Sequence, residues 1–188
     1  MKKEAIRKIY FEKRQNLSLN EFQLLSAHLL KNTIQLIKEL KPKTIHCFLP
    51  IESKLELDTQ AIINFCWNNK INVVVPISDF ETKSMKSASL KPDTITDVKK
   101  YKIPEPVDPI WIDEKSIDLV ITPLLAFDLK GYRVGYGKGF YDRFFDGLKP
   151  NVHKVGLSIF EAIKEITDIS PYDVPLTNCI TPKEIYSF

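Results

Sequence analysis

DLVITPLLAFDLKGYRVGYGKGFYDRFF, residues 118–145, is the stretch that decides the fold of this 188-residue chain. After Asp118 the run to Leu125 carries no charge and is partly β-branched, the composition of a strand covered on both faces. Such a strand belongs in the middle of a sheet. Gly131, Gly135, Gly137 and Gly139 follow; lacking Cβ atoms, they let the chain enter positive φ and bring backbone N–H groups close to a ligand. A turn of that kind is a cradle for an anion. Phe140, Tyr141, Phe144, Phe145 and Leu148 then recur at helical spacing, which predicts a helix starting near Gly139 with its positive end toward the loop. Phosphate suits such a place. Arg133 and Lys138 lie in the same turn to neutralise it, and Asp142, one turn into the helix, is a candidate ligand for magnesium shared with phosphate oxygens.

The glycine spacing matches neither a Walker A loop, because Lys138 is followed by Gly139 and not by a hydroxyl, nor G-x-G-x-x-G. Spacing alone therefore leaves a plain βα connection as an equal alternative. The longer string PLLAFDLKGYRVGYGKGFYDRF, residues 123–144, resembles the signature of the 5-formyltetrahydrofolate cyclo-ligases, also called 5,10-methenyltetrahydrofolate synthetases.

Outward from that string, Ile6, Ile9 and Tyr10 share one side of a predicted helix over 3–15, with Lys3 and Arg7 four residues apart on another. On their own these two cations describe a solvated face. The family resemblance implies that a Lys-x-x-x-Arg pair here reaches nucleotide phosphates. Ser18-x-x-Glu21 reads as a capping box, and the stripe Phe22, Leu25, Leu29, Leu36, Ile37 and Leu40 extends the second helix to Lys41-Pro42. Strands are expected at 44–50, 72–76, 85–90 (half-exposed) and 154–159, with helices after Asp58-Thr59, burying Ile62, Phe65 and Cys66, and over 160–166. Trp111 is expected to pack.

Further site residues rest on the resemblance. Glu56, in the string ELDT, resembles a motif that contacts the folate; Leu49 matches a position in the same pocket. Tyr101 precedes an I-P-E-P segment and is either a ring stacked on the pteridine or an anchoring loop tyrosine. Asp173 in YDVPL matches an aspartate tied to the metal, and Thr177 stands where a second acid is often found. The resemblance implies that Arg133, Val134, Gly135, Tyr136, Gly137, Lys138, Gly139, Phe140 and Tyr141, with Lys3 and Arg7, hold ATP. Leu49, Glu56, Tyr101, Tyr136 and Phe140 then contact folate, and Asp142 and Asp173 hold Mg2+. Lys138, Arg133 and Tyr141 form the expected catalytic set, with Tyr141 orienting the formyl oxygen; Phe140 stands where the family commonly has a tyrosine.

The implied reaction is ATP- and Mg2+-dependent conversion of 5-formyltetrahydrofolate to 5,10-methenyltetrahydrofolate. It needs charge neutralisation and alignment, not a protein nucleophile. The alternating strands and helices predict an α/β fold, a three-layer αβα sandwich around a mostly parallel sheet, which the resemblance refines to the NagB/RpiA/CoA-transferase-like architecture. A single domain over 1–188 is expected.

A net charge of +3 is too slight for the concentrated basic face that nucleic-acid binding shows, while anionic small molecules account for it. No apolar run reaches the ~20 residues of a membrane span. The charged N-terminus has no secretory signal, so the cytoplasm is expected. Cys47, Cys66 and Cys179 are widely spaced and odd in number, as reduced core cysteines are, and His28, His46 and His153 form no H-x-x-x-H pair. The protein is expected to act as a monomer on small-molecule substrates. Two other readings remain from sequence: a sugar-phosphate isomerase or acyl-CoA transferase on the same fold, and a nucleic-acid-binding protein that kept the scaffold.

Overall fold

The computed structural model of the protein describes residues 1–98 and 103–188. Its elements run α1 (Lys3–Gln15), α2 (Leu19–Leu40), β1 (Thr44–Cys47), α3 (Gln60–Asn68), β2 (Asn72–Asp79), β3 (Ser84–Leu90), β4 (Thr96–Val98) and β5 (Pro104–Pro106). They continue with β6 (Leu119–Pro123), β7 (Ala126–Phe127), β8 (Arg133–Val134), α4 (Phe140–Asp146), β9 (His153–Leu157), β10 (Asn178–Ile180) and β11 (Ile185–Ser187).

The main sheet has seven strands in the order β11-β10-β9-β6-β1-β2-β3. Its interior pairs, β10 with β9, β9 with β6, β6 with β1 and β1 with β2, are all parallel. The two edge strands, β11 and β3, are antiparallel to their neighbours. β6 sits at the centre, as its uncharged run predicts, and Leu119 to Thr122 are all buried. Consecutive residues point to opposite faces. Leu119 and Ile121 join Ile45, Val73 and Val155 under α2 and α3, whereas Val120 joins Val74 and Cys179 under Phe144 and Phe145 of α4. Each fully buried Ile or Leu there contributes about 1.5–3 kcal/mol of hydrophobic stabilisation. Through Ile6 and Tyr10, α1 packs on Leu125, Ala126 and Val134, the ribbon formed by β7 and β8.

Local signals hold at α2. The Ser18 side chain accepts from the Glu21 backbone N–H at 3.3 Å, and the Glu21 carboxylate accepts from Ser18 N–H at 2.9 Å. The helix ends at Lys41, in the left-handed region at φ 48°.

Several expectations need correction. The strand predicted over 118–125 stops at Pro123, and the chain turns into the β7–β8 ribbon. The strand expected over 44–50 is likewise short, ending at Cys47. Residues 160–166 form no helix, because their N–H groups have partners elsewhere in the fold. Ile163 N–H donates to Phe127 O at 2.8 Å, and Ile166 N–H to the buried carboxylate of Asp128 at 3.1 Å. In β3 the half-exposed alternation breaks where Ser87 and Ala88 are both buried. Residues 110–112 run along that edge, with Ile112 N–H donating to Ser87 O at 2.9 Å. Trp111, expected to pack, is 53% exposed there, with the Lys86 ammonium over its ring.

His46, in the middle of β1, is wholly buried against the Phe144 ring, 4.7 Å between centroids, and neither ring nitrogen has a hydrogen-bond partner among the described residues. Burial pushes its imidazole down from 6.5 to about 3. Between those values the unfolded chain holds one more proton than the folded one, so stability falls as pH drops through this window, by about 1.4 kcal/mol per pH unit. His46→Leu is expected to flatten that dependence. Urea unfolding at about pH 7 and about pH 4.5 measures it, and an equal loss in variant and wild type would assign the acid sensitivity to other groups.

Among the described residues, no helix is long and apolar enough to cross a membrane.

Candidate active site

From β1 the chain passes through α3 to β2 on one side, and from β6 it passes to β9 on the other. The order reverses between β1 and β6, and in such sheets ligands bind outside the carboxyl ends of the strands at that point. A cleft of about 640 Å³ opens there, with Phe48 and Leu49 beyond β1 and Pro123 at the end of β6 in its wall. Lys3, Arg7, Leu49, Glu56, Asp173 and every residue from Arg133 to Asp142 line the same cleft. Tyr101 lies outside the described residues; Ile103, two positions later, lines the cleft.

The glycine loop is bent by Gly137 and Gly139, at φ 87° and 67°. A side chain at Gly137 would meet the Arg7 guanidinium at 3.2 Å, so the loop and α1 close on each other. Arg7 Nε donates to Gly135 O at 3.0 Å. Gly135 itself has nothing within 4 Å of where a Cβ would stand, which leaves room for a ligand against its backbone. The Lys138 side chain is exposed and has no ion-pair partner among the described residues, while its carbonyl accepts from Arg143 at 2.6 Å. α4 begins at Phe140, next to the expected start at Gly139, and runs for seven residues.

Behind the loop lies a charge cluster. The Arg133 side chain is 6% exposed and donates to Asp142 at 2.7 Å and to Val174 O at 2.5 Å. Burial pulls its guanidinium down from the ordinary value, opposed by Asp142 and Asp173. Asp142 also accepts from Val174 N–H at 3.2 Å, which sets it beside Asp173. Asp173 pairs in turn with Lys3 and accepts from Ser170 N–H at 2.6 Å. Thus Arg133 and Lys3 are paired with the acids and Arg7 with the loop carbonyl, which leaves Lys138 as the cation of the loop without an ion-pair partner among the described residues. The two carboxylates suit a magnesium ion, which binds through one or two carboxylates plus phosphate oxygens and water. Among the described residues no group of three or more His, Cys, Asp or Glu is gathered for a metal.

The other part of the cleft is drier. Glu56 is 8% exposed and accepts from Ile51 N–H at 2.8 Å. Burial pushes its carboxyl up, and the Ile51 N–H, the adjacent Tyr136 hydroxyl, Arg14 and Lys54 hold it down. Burial also raises the Tyr141 phenol well above its ordinary range, so it stays protonated at neutral pH and can donate. Phe140 packs edge-on against Phe80, 5.0 Å between centroids. No thiolate nucleophile is offered by Cys47, since burial raises that thiol. What the cleft provides is a cationic cradle for a polyanion beside an apolar pocket with one buried carboxylate. Such a site can align two substrates.

Sequence reasoning missed Arg14, Lys54 and Phe80. Arg14 carried a signal, because it follows Arg7 by seven residues and so shares its face of α1. Nothing local marks Lys54 or Phe80.

The family model described as the 5-formyltetrahydrofolate cyclo-ligase family matches residues 1–182. A 5-formyltetrahydrofolate cyclo-ligase of Haemophilus influenzae is 28% identical over 179 residues, 93% of this chain and 95% of that protein. Among solved structures, a 5,10-methenyltetrahydrofolate synthetase from Mycoplasma pneumoniae is similar with a TM-score of 0.77 and 25% identity, covering 97% of this chain and 99% of that one. The corresponding synthetase of Aquifex aeolicus gives a TM-score of 0.79 and 27% identity, covering 100% and 93%.

Proposed function

The chain belongs to the 5-formyltetrahydrofolate cyclo-ligase family, and from that premise we propose that its cleft converts 5-formyltetrahydrofolate to 5,10-methenyltetrahydrofolate using ATP, with release of ADP and phosphate. The observation that carries the reading is the apposition in one cleft of the glycine cradle, with Lys3, Arg7 and Lys138, and the buried Glu56 beside Leu49.

The chemistry asks for little else. A formamide oxygen leaves poorly, so the γ-phosphoryl group is transferred to it; N10 then attacks the activated carbon, loses its proton, and phosphate departs. Lys138, Lys3, Arg7 and the loop N–H groups hold the triphosphate and neutralise its charge. Tyr141 donates its phenolic proton toward the formyl oxygen, orienting it. Glu56, with Leu49, Tyr136, Phe140 and Tyr101, receives the folate. Asp142 and Asp173 are the ligands for Mg2+, which when bound supplies charge neutralisation to the phosphate oxygens. The protein works as a single domain, a cytoplasmic monomer of the NagB/RpiA/CoA-transferase-like architecture, without nucleic acid or membrane.

Mixing the protein with 5-formyltetrahydrofolate, ATP and magnesium and following absorbance of the methenyl product tests this directly. ATP-dependent product is expected. Its absence from a folded, ATP-binding protein would remove the proposal and turn attention to other phosphorylated substrates of this fold.

A further inference from the structure

Arg14, near the end of α1, is 4% exposed, an unusual place for a cation unless it is paired. Its guanidinium donates to Leu124 O at 2.6 Å and to the Tyr136 hydroxyl at 3.2 Å. Its Nε is buried without a hydrogen-bond partner among the described residues. Beyond Tyr136 stands Glu56, whose carboxylate interacts with that same hydroxyl. Arg14 and Glu56 also line a second, small void of about 10 Å³, close to the space one water requires.

We propose that Arg14 is a positioning residue for Glu56, keeping it ionised and fixed in orientation through the Tyr136 hydroxyl and one buried water in that void. The chain of donors runs in one direction. Arg14 donates to the Tyr136 oxygen, the phenol donates to Glu56, and the water accepts from Nε and donates to the carboxylate. Arg14 comes from α1, Lys54 from the turn after β1, Tyr136 from the glycine loop and Tyr141 from α4; these are the charged and titratable groups that face Glu56. Lys54 stands over the rings of Phe11 and Tyr136, at 5.6 and 5.5 Å. Arg14 is the buried cation of the set, and a guanidinium keeps its charge throughout the working range. Without it, the carboxyl of a desolvated Glu56 would keep its proton to higher pH and, while protonated, present a donor where an acceptor is needed. That last consequence rests on the folate reading, in which the ionised carboxylate accepts from the ring N–H groups of the substrate.

The test begins without substrate. In protein carrying 13C-labelled glutamate, the Glu56 carboxyl signal is assigned by its loss in Glu56→Gln and titrated by NMR. Arg14→Met is expected to raise the Glu56 midpoint by about one pH unit or more, and Arg14→Lys to restore most of it. Tyr136→Phe cuts the relay while leaving the buried charge, and raises the midpoint by less. Should Arg14→Met not fold, Arg14→Lys and Tyr136→Phe carry the measurement. A midpoint unchanged in every folded variant overturns the proposal. In turnover, Arg14→Met should move the acid limb of the kcat/KM profile for 5-formyltetrahydrofolate up by the same interval, so that folate KM rises roughly tenfold at pH values below both midpoints and little above them, with KM for ATP unmoved. A raised midpoint with an unmoved acid limb of the folate profile supports the Arg14–Glu56 link and counts against the folate placement alone.

Discussion

Lys138→Ala is expected to lower kcat about 100- to 1,000-fold, the range seen when one group aimed at developing charge is removed. The side chain stands in the cradle between Gly137 and Gly139, exposed and without an ion-pair partner among the described residues, so its charge is available to a phosphate. Its backbone is placed independently, since Arg143 donates to the Lys138 carbonyl at 2.6 Å and to Lys83 O at 2.7 Å. Truncation to alanine therefore removes the ammonium without moving the loop. Steady-state kinetics with ATP varied, alongside a thermal melt, measure the effect. A variant that melts like the wild type and keeps its kcat/KM for ATP would exclude Lys138 from the phosphate site.

The second large effect is on stability. Asp142→Ala should cost about 3 kcal/mol, roughly 6–12 °C in Tm, because it leaves the Arg133 guanidinium buried and uncompensated. The figure is set at the low end for a broken buried pair on two grounds. The Asp142 side chain is 26% exposed, and Asp173 also interacts with Arg133. The Val174 N–H loses its acceptor as well. Replacing both partners, Arg133→Met with Asp142→Leu, should recover most of the stability, since apolar groups of similar size often substitute for a buried pair at little cost. Denaturant unfolding of the single and double variants provides the measurement. If the single variant unfolds at the wild-type midpoint, the pair is not holding the loop against the chain near Val174. The same position addresses magnesium: Asp142→Asn keeps an acceptor for Val174 but not the counter-charge of Arg133, so it should lose less stability than Asp142→Ala and raise the magnesium requirement.

These expectations show where the sequence was legible. The uncharged run through Leu119–Thr122, the glycines after it and the Ser18–Glu21 box are local signals, and local physics suffices to place β6, the loop and α2. The segment at 160–166 has helical periodicity in its side chains, but its backbone donors go to Phe127 and Asp128, partners that a local reading does not see. The same holds inside the cleft. Motif resemblance brings Lys3, Glu56, Lys138 and Asp173 to mind separately, and the fold sets them around one cavity. That Arg133 pairs with Asp142 depends on how the loop folds α4 back onto β8, and that Arg14 reaches Tyr136 depends on the approach of α1 and the loop, more than 100 residues apart.

The sheet order also bears on how the protein is made. β1 and β6 are neighbours in space, although the whole βα unit, the β2–β3 hairpin and the β4–β5 ribbon are synthesised between them. The cleft wall is then completed by Asp173, 170 residues after its partner Lys3. Pairing over such separations closes large loops and is slow. A growing chain thus carries Lys3 and Arg7 through the synthesis of everything up to Asp173 before the cleft is complete, so a ligand of that cleft binds late in folding. Any ligand of the finished cleft stabilises only the complete structure, so a chain cut before Asp173 gains nothing from it.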